Sequence, residues 1–144
     1  DATDSPQVNF RGTQVSVSPL DAGPEIILAA AVPKEIWSLS GRGTSCPNAT
    51  KQVVRVTWTG GVRLPNRDEL GDAQKSLYQV TVTSADGSQS QVSPAALAEL
   101  GDNDNNHFLC LDTTTPATAV AFPAGHLVDP NGDLNAASKV MVRR

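Results

Sequence analysis

Histidine is the side chain that most readily does acid–base chemistry near neutral pH, and the chain has two, His107 and His126. A Ser-His-Asp site could draw on either one, because serines and aspartates are plentiful. Nothing near either histidine resembles a nucleophile elbow or a paired base. A lone histidine in a loop is usually solvated. The sequence therefore predicts that the chain is not an enzyme.

Two loops carry oxygen ligands of the kind that calcium prefers. Residues 102–106 and 129–135 are rich in Asp and Asn at alternating positions, as calcium loops are. Neither matches the twelve-residue calcium loop, and both lack its closing glutamate. Turns between strands have the same composition without any metal. We expect ordinary turns and no cofactor or metal, with calcium binding as the alternative.

The two cysteines, Cys46 and Cys110, could form a disulfide or remain as two buried thiols in a cytosolic protein. An even cysteine count in a chain rich in Thr, Ser, Asn and Asp favours a disulfide in an exported protein. We expect the Cys46–Cys110 bond and an oxidising compartment.

Charge and length exclude several other classes. The net charge is -4 and the pI is about 5.0, whereas binding to nucleic acid or to an anionic membrane needs a basic surface. The longest apolar run, residues 26–32, falls well short of the ~18 residues of a membrane-spanning helix. A chain of 144 residues suits one domain. We expect no nucleic-acid partner and no membrane-spanning segment.

Most of the chain alternates apolar and polar residues, which is the period of a half-buried strand. The clearest case is residues 52–59, where Val54, Val56 and Trp58 share one face. Further strands are predicted at residues 25–32, 75–84, 108–112, 117–122 and 139–144. Eight or so short strands separated by turns, including an Asp-Gly turn at residues 85–88, indicate an antiparallel β-sandwich.

One helix is predicted, at residues 93–101. Ser93 is a suitable N-cap, Pro94 occupies the first helical position, and Gly101 stands where a C-terminal glycine belongs. The helix would have two turns at most. No internal repeat or second domain is evident.

The opening stretch is an apolar strand with a glycine in it. Val8 and Phe10 alternate with polar residues, and Gly12 falls next on the same face. A glycine within a strand usually marks a bulge or the close approach of another group. The apolar positions then change parity at Val15, so that a strand boundary or a bulge is expected there.

Three short stretches, in order, resemble the subunits of pili assembled by the bacterial chaperone–usher pathway. Residues 8–12 resemble the N-terminal extension of those subunits, residues 36–41 resemble the strand leading to their second cysteine, and residues 56–61 resemble the pattern after it. Two features depart from the family. Pro19 stands where the first cysteine usually falls, and the chain end lacks the usual near-terminal aromatic residue.

The resemblance implies an incomplete immunoglobulin-like sandwich at residues 15–144, completed by the donated extension, residues 1–14, of another subunit. Val8, Phe10 and Gly12 would be the donor residues, and Val140 and Val142 would lie on the edge strand that a chaperone grips. The implied function is a structural subunit of an adhesive extracellular pilus or fimbria, exported through the periplasm with a periplasmic chaperone and an outer-membrane usher. The alternative is a self-contained, secreted β-sandwich binding or accessory module, in which the opening strand pairs within its own domain.

Overall fold

A computed structural model describes residues 23–37, 46–98 and 105–144. Within them the chain forms eight strands, one turn of α-helix and one 3-10 helix. The strands are β1 (Ile26–Val32), β2 (Gln52–Trp58), β3 (Gln79–Thr83), β4 (Gln89–Val92), β5 (Ala96–Ala98), β6 (Asn106–Leu111), β7 (Ala117–Phe122) and β8 (Ser138–Arg143). The helix α1 is Lys34–Trp37, and the 3-10 helix is Asp72–Leu77.

The eight strands form one curled sheet in the order β4-β3-β7-β8-β1-β2-β6-β5. Each neighbouring pair is antiparallel except β1 and β8, which run parallel. Strand β8 therefore joins two halves, β4-β3-β7 on one side and β1-β2-β6-β5 on the other. The all-β, sandwich-like fold predicted from the alternation is confirmed.

The main core lies between the two halves. Val54, Val56 and Trp58 of β2 are fully buried in it, as the alternation predicts. Val80 and Val120, from the opposite half, belong to the same core. Because these side chains are mainly β-branched and aliphatic, the core suits a chain with few aromatic residues.

A second, smaller cluster lies on the outer face of β2, β5 and β6. Its buried members are Val53, Ala96, Ala98, Phe108 and Cys110, and Val32, Trp37 and Cys46 pack against them. The Cys46–Cys110 disulfide is present, with a sequence separation of 64 between its cysteines. It links Cys46 to β6, and the predicted bond is confirmed.

The prediction of a helix at residues 93–101 is wrong for residues 93–98, the part of this range that the structure describes. Residues 96–98 form β5, which pairs antiparallel with β6 through Ala96↔Cys110 and Ala98↔Phe108. Ala96 and Ala98 are buried in the outer cluster, whereas Leu97 packs against the main core. The small side chains of Ala96 and Ala98, at alternate positions of the strand, fit beside the disulfide. This tertiary packing overrides the helix propensity of alanine. The helical turns lie elsewhere, at α1 and the 3-10 helix.

The Asp-Gly turn joins β3 to β4 as predicted. Gly87 has a φ of 89°, and Gly87 N donates to Ser84 O at 2.9 Å. Asp86 Oδ1 accepts from both the backbone N–H and the hydroxyl of Ser88. Glycine tolerates this left-handed conformation, so the hairpin closes without strain.

Candidate functional site

The predicted donor residues Val8, Phe10 and Gly12 lie outside the described residues, as does the predicted boundary between residues 14 and 15. The structure describes the chain from Gly23, just before β1 begins. A Cβ on Gly23 would lie 1.8 Å from Leu134 O, so no other residue fits there without moving the neighbouring backbone.

The two residues after Gly23 are fixed by hydrogen bonds to two other parts of the chain. Ala136 N donates to Pro24 O at 3.2 Å, and Thr59 N donates to Glu25 O at 2.9 Å. Glu25 N donates in turn to the Thr59 hydroxyl at 3.2 Å. The backbone just before β1 is therefore fixed to the rest of the sandwich.

Val140 and Val142 lie on β8, and both are half-buried and pack against the main core. The predicted edge position is wrong, because β8 has paired neighbours on both sides. Residues 138–141 pair with β7, and Val142 and Arg143 pair with Ala29 and Ala30 of β1. Strand β1 lies beside the last residues of β8, and the two strands form a short parallel ladder. Contact between these valines and a chaperone stays a prediction.

The actual edges of the described sheet are β4 and β5. Strand β4 pairs only with β3, and β5 pairs only with β6. The exposed residues of β4 are Gln89, Ser90 and Gln91. An edge strand without charge or proline inside it can pair with another chain. The alternation in the sequence does not indicate β4, since three of its four residues are polar.

A buried polar cluster joins the two halves of the sheet. Trp58 Nε1 donates to the Tyr78 hydroxyl at 3.0 Å, and that hydroxyl is hydrogen-bonded to Nδ1 of His107 at 2.6 Å. Phe122 packs edge-on against both Trp58 and Tyr78. Buried aromatic side chains with polar tips normally find such partners.

His107 is therefore not the solvated loop residue that the sequence suggested. It lies on β6 and is only 1% exposed, whereas His126 is exposed in a loop. The sequence signal was present, because His107 has the same parity as Leu109 and Leu111, which face the main core. With Nδ1 engaged by Tyr78 in the interior, His107 has the surroundings of a structural residue.

The loop at residues 129–135 is held by its own hydrogen bonds. Asp129 Oδ1 accepts from Asn131 N at 2.9 Å and from Asp133 N at 3.0 Å. The Asn135 side chain accepts from His126 N and Leu127 N and donates to two carbonyls. Within the described ranges, no cluster of three or more His, Cys, Asp or Glu side chains could hold a metal ion. These contacts are those of an Asx-rich structural turn.

Two open clefts flank Asp129 and Pro130. One, of about 210 Å³, is lined by Gly23, Pro24, Thr59 and Gly60. The other, of about 280 Å³, is lined by Gly61, Arg63 and Arg67. Both fall below the size of most small-molecule sites, which run from ~300 to ~1,000 Å³. The Arg67 side chain already has hydrogen-bond partners, since its Nη1 donates to the carbonyls of Asp129 and Pro130.

The remaining candidates for binding are exposed apolar side chains. Four large ones are exposed among the described residues, and they are Ile27, Ile36, Leu134 and Met141. Ile27 and Met141 lie on the adjacent strands β1 and β8. Surface hydrophobic residues that cluster indicate interaction sites more often than single ones do.

None of the helices in residues 23–37, 46–98 and 105–144 has the length and apolar character needed to cross a membrane. The disulfide is compatible with an exported protein in an oxidising compartment. No protein-family model matches the sequence, and comparison with curated proteins and with solved structures finds no match.

Proposed function

We propose that the chain is a structural subunit of an adhesive extracellular fibre, a pilus or fimbria, that polymerises by donating its opening strand to another subunit. One observation carries the proposal. The eight strands that the structure describes, from Ile26 onward, pair with one another in one continuous sheet around a common core. Under the proposal, the opening strand, with Val8, Phe10 and Gly12 on one face, is donated to a partner.

Two further observations support this proposal. The Cys46–Cys110 disulfide suits export through the periplasm, where a chaperone and then an outer-membrane usher would handle the subunit. The hydrogen bonds at Pro24 and Glu25 fix the backbone just before β1. A fixed backbone at this point would limit the directions in which the preceding residues could reach a second subunit.

The second candidate is a self-contained β-sandwich module of a secreted protein. The pairing of Ala29 with Val142 and of Ala30 with Arg143 favours this candidate. The ladder joins β1 to β8 at the place where the resemblance implied an open groove. In this case the opening strand pairs within its own domain.

Removing residues 1–14 separates the two candidates. Under the fibre proposal, the truncated chain keeps its far-UV circular dichroism and its cooperative thermal unfolding, while it no longer forms polymers in sedimentation velocity. Loss of the fold in an otherwise stable monomer would show that the opening strand is internal. The fibre proposal would then fail.

A further inference from the structure

An apolar patch lies on the outer face of the seam between β1 and β8. The parallel register pairs Ala29 with Val142. Ala29 is buried and Val142 packs against the core, so the residues just before them, Leu28 and Met141, lie side by side on the opposite, outer face. Met141 is 69% exposed, and Ile27, at the register shift of β1, is 58% exposed.

Two arginines lie one step further along the same outer face. Ala30 pairs with Arg143 of β8 on one side and with Arg55 of β2 on the other. Both arginines are exposed, and neither has an ion-pair partner among the described residues. Two strand spacings separate their backbones, roughly 10 Å, with only the small Ala30 between them. We call Ile27, Leu28, Met141, Arg55 and Arg143 the seam patch.

The seam patch is basic and apolar in a chain whose net charge is -4. It therefore suits an extended segment that carries carboxylates close to large apolar side chains. The opening segment of this chain carries two carboxylates and one cation, Arg11, and its Asp1 and Asp4 precede Val8 and Phe10. We propose that the seam patch of one copy accepts the opening segment of a second copy, an inference that rests on the proposed function and names its acceptor.

The two sheet edges are poorer acceptors for this segment. Exposed residues 89–91 of β4 are Gln, Ser and Gln, which give Val8 and Phe10 no apolar surface. Strand β5 has three residues, and its Ala96 and Ala98 are already buried in the outer cluster. Of these three surfaces, the seam patch alone combines exposed apolar side chains with positive charge.

Charge reversal on the full-length chain tests the acceptor. We expect Arg55→Glu with Arg143→Glu to raise the concentration needed for polymerisation about tenfold, measured by sedimentation velocity at low ionic strength. Adding Asp1→Lys and Asp4→Lys to the same chain should restore most of the assembly, because the charges are then exchanged. The control is Lys51→Glu, an exposed lysine outside the seam patch, which should change assembly little.

Met141→Ser is a second, uncharged variant, and it should also weaken assembly. Circular dichroism of each variant reports whether the sandwich is intact. If both kinds of variant polymerise like the unmodified chain while removal of residues 1–14 abolishes polymers, the seam patch is not the acceptor and the proposed function stands. If polymers persist without residues 1–14, the proposed function fails and the acceptor fails with it.

Discussion

The Tyr78 hydroxyl and Nδ1 of His107 lie 2.6 Å apart in the interior. Tyr78 immediately precedes β3 and His107 belongs to β6, so their hydrogen bond joins the two halves of the sheet. The same hydroxyl accepts the indole N–H of Trp58 on β2. This cluster is a buried polar link between the two halves, in a core that is otherwise largely aliphatic.

Replacing Tyr78 with phenylalanine should lower the free energy of unfolding by about 1–3 kcal/mol, because two buried polar groups lose a hydrogen-bond partner. Urea denaturation followed by tryptophan fluorescence measures the change. Ser90→Ala, which removes an exposed hydroxyl on β4, is the control and should stay within about 0.5 kcal/mol of the parent. Equal stability of the two variants would mean that the cluster contributes no stability.

Gly23→Ala should destabilise the sandwich by about 1–3 kcal/mol, as overpacking against backbone does. The added Cβ would meet Leu134 O at 1.8 Å, whereas a Cβ on Gly60 has no atom within 4 Å. Gly60→Ala is therefore the matched control. Thermal unfolding of both variants gives the comparison, and a Gly23→Ala variant as stable as Gly60→Ala would contradict the close packing at this point.

Loss of the Cys46–Cys110 bond should lower the free energy of unfolding by up to about 4 kcal/mol on the chain-entropy model, given the 64-residue separation. A double Cys46→Ala, Cys110→Ala variant measures this in urea. Reducing agent should destabilise the unmodified chain and leave the double variant unchanged. Mass spectrometry of non-reduced material that found two free thiols would contradict the bond.

The stability of the turn at Asp86 should depend on pH in a predictable direction. The hydrogen bond from the Ser88 side chain, and then that from its backbone, lower the pKa of Asp86 below 3.8. A carboxyl whose pKa is lower when folded contributes its stability above the unfolded pKa and loses it as pH falls through the folded pKa. In an NMR titration, Ser88→Ala should raise the pKa of Asp86. An unchanged pKa would exclude the hydrogen bond from the Ser88 side chain as a cause of the lowered value.

Much of the fold could be predicted from the sequence, because alternation reports which face of a strand is buried. Residues 54, 56 and 58 of β2 face the main core as the pattern indicates, and so do Tyr78, Val80 and Val82. The Asp-Gly turn was predicted for a local reason, the tolerance of glycine for a positive φ. These features depend on neighbours in sequence, so a single chain reveals them.

The errors arose where distant parts of the chain decide the local structure. Residues 96–98 have the composition of a helix, yet pairing with β6 and burial beside Cys110 make them a strand. Residues 36 and 37 begin a stretch that resembles a strand of the pilus subunits, yet they form the end of α1. Placing β8 in the interior of the sheet required its pairing with β1, which no local pattern encodes.

The seam patch could not be predicted either. Leu28 and Met141 are far apart in sequence, and they become neighbours only through the parallel register of β1 and β8. Arg55 and Arg143 flank Ala30 for the same reason. A surface assembled from three strands has no signature in any single segment.

The apolar face of the opening strand is the central element of the proposed assembly, and two single substitutions in the full-length chain test it most directly. In an extended strand Phe10 would share a face with Val8 and Gly12, and its neighbour Asn9 would lie on the other face. Sedimentation velocity should show that Phe10→Ala strongly reduces polymers, while Asn9→Ala, the adjacent control, leaves them nearly unchanged. Polymers that are unaffected by Phe10→Ala, or equally reduced by both substitutions, would contradict donation of this strand.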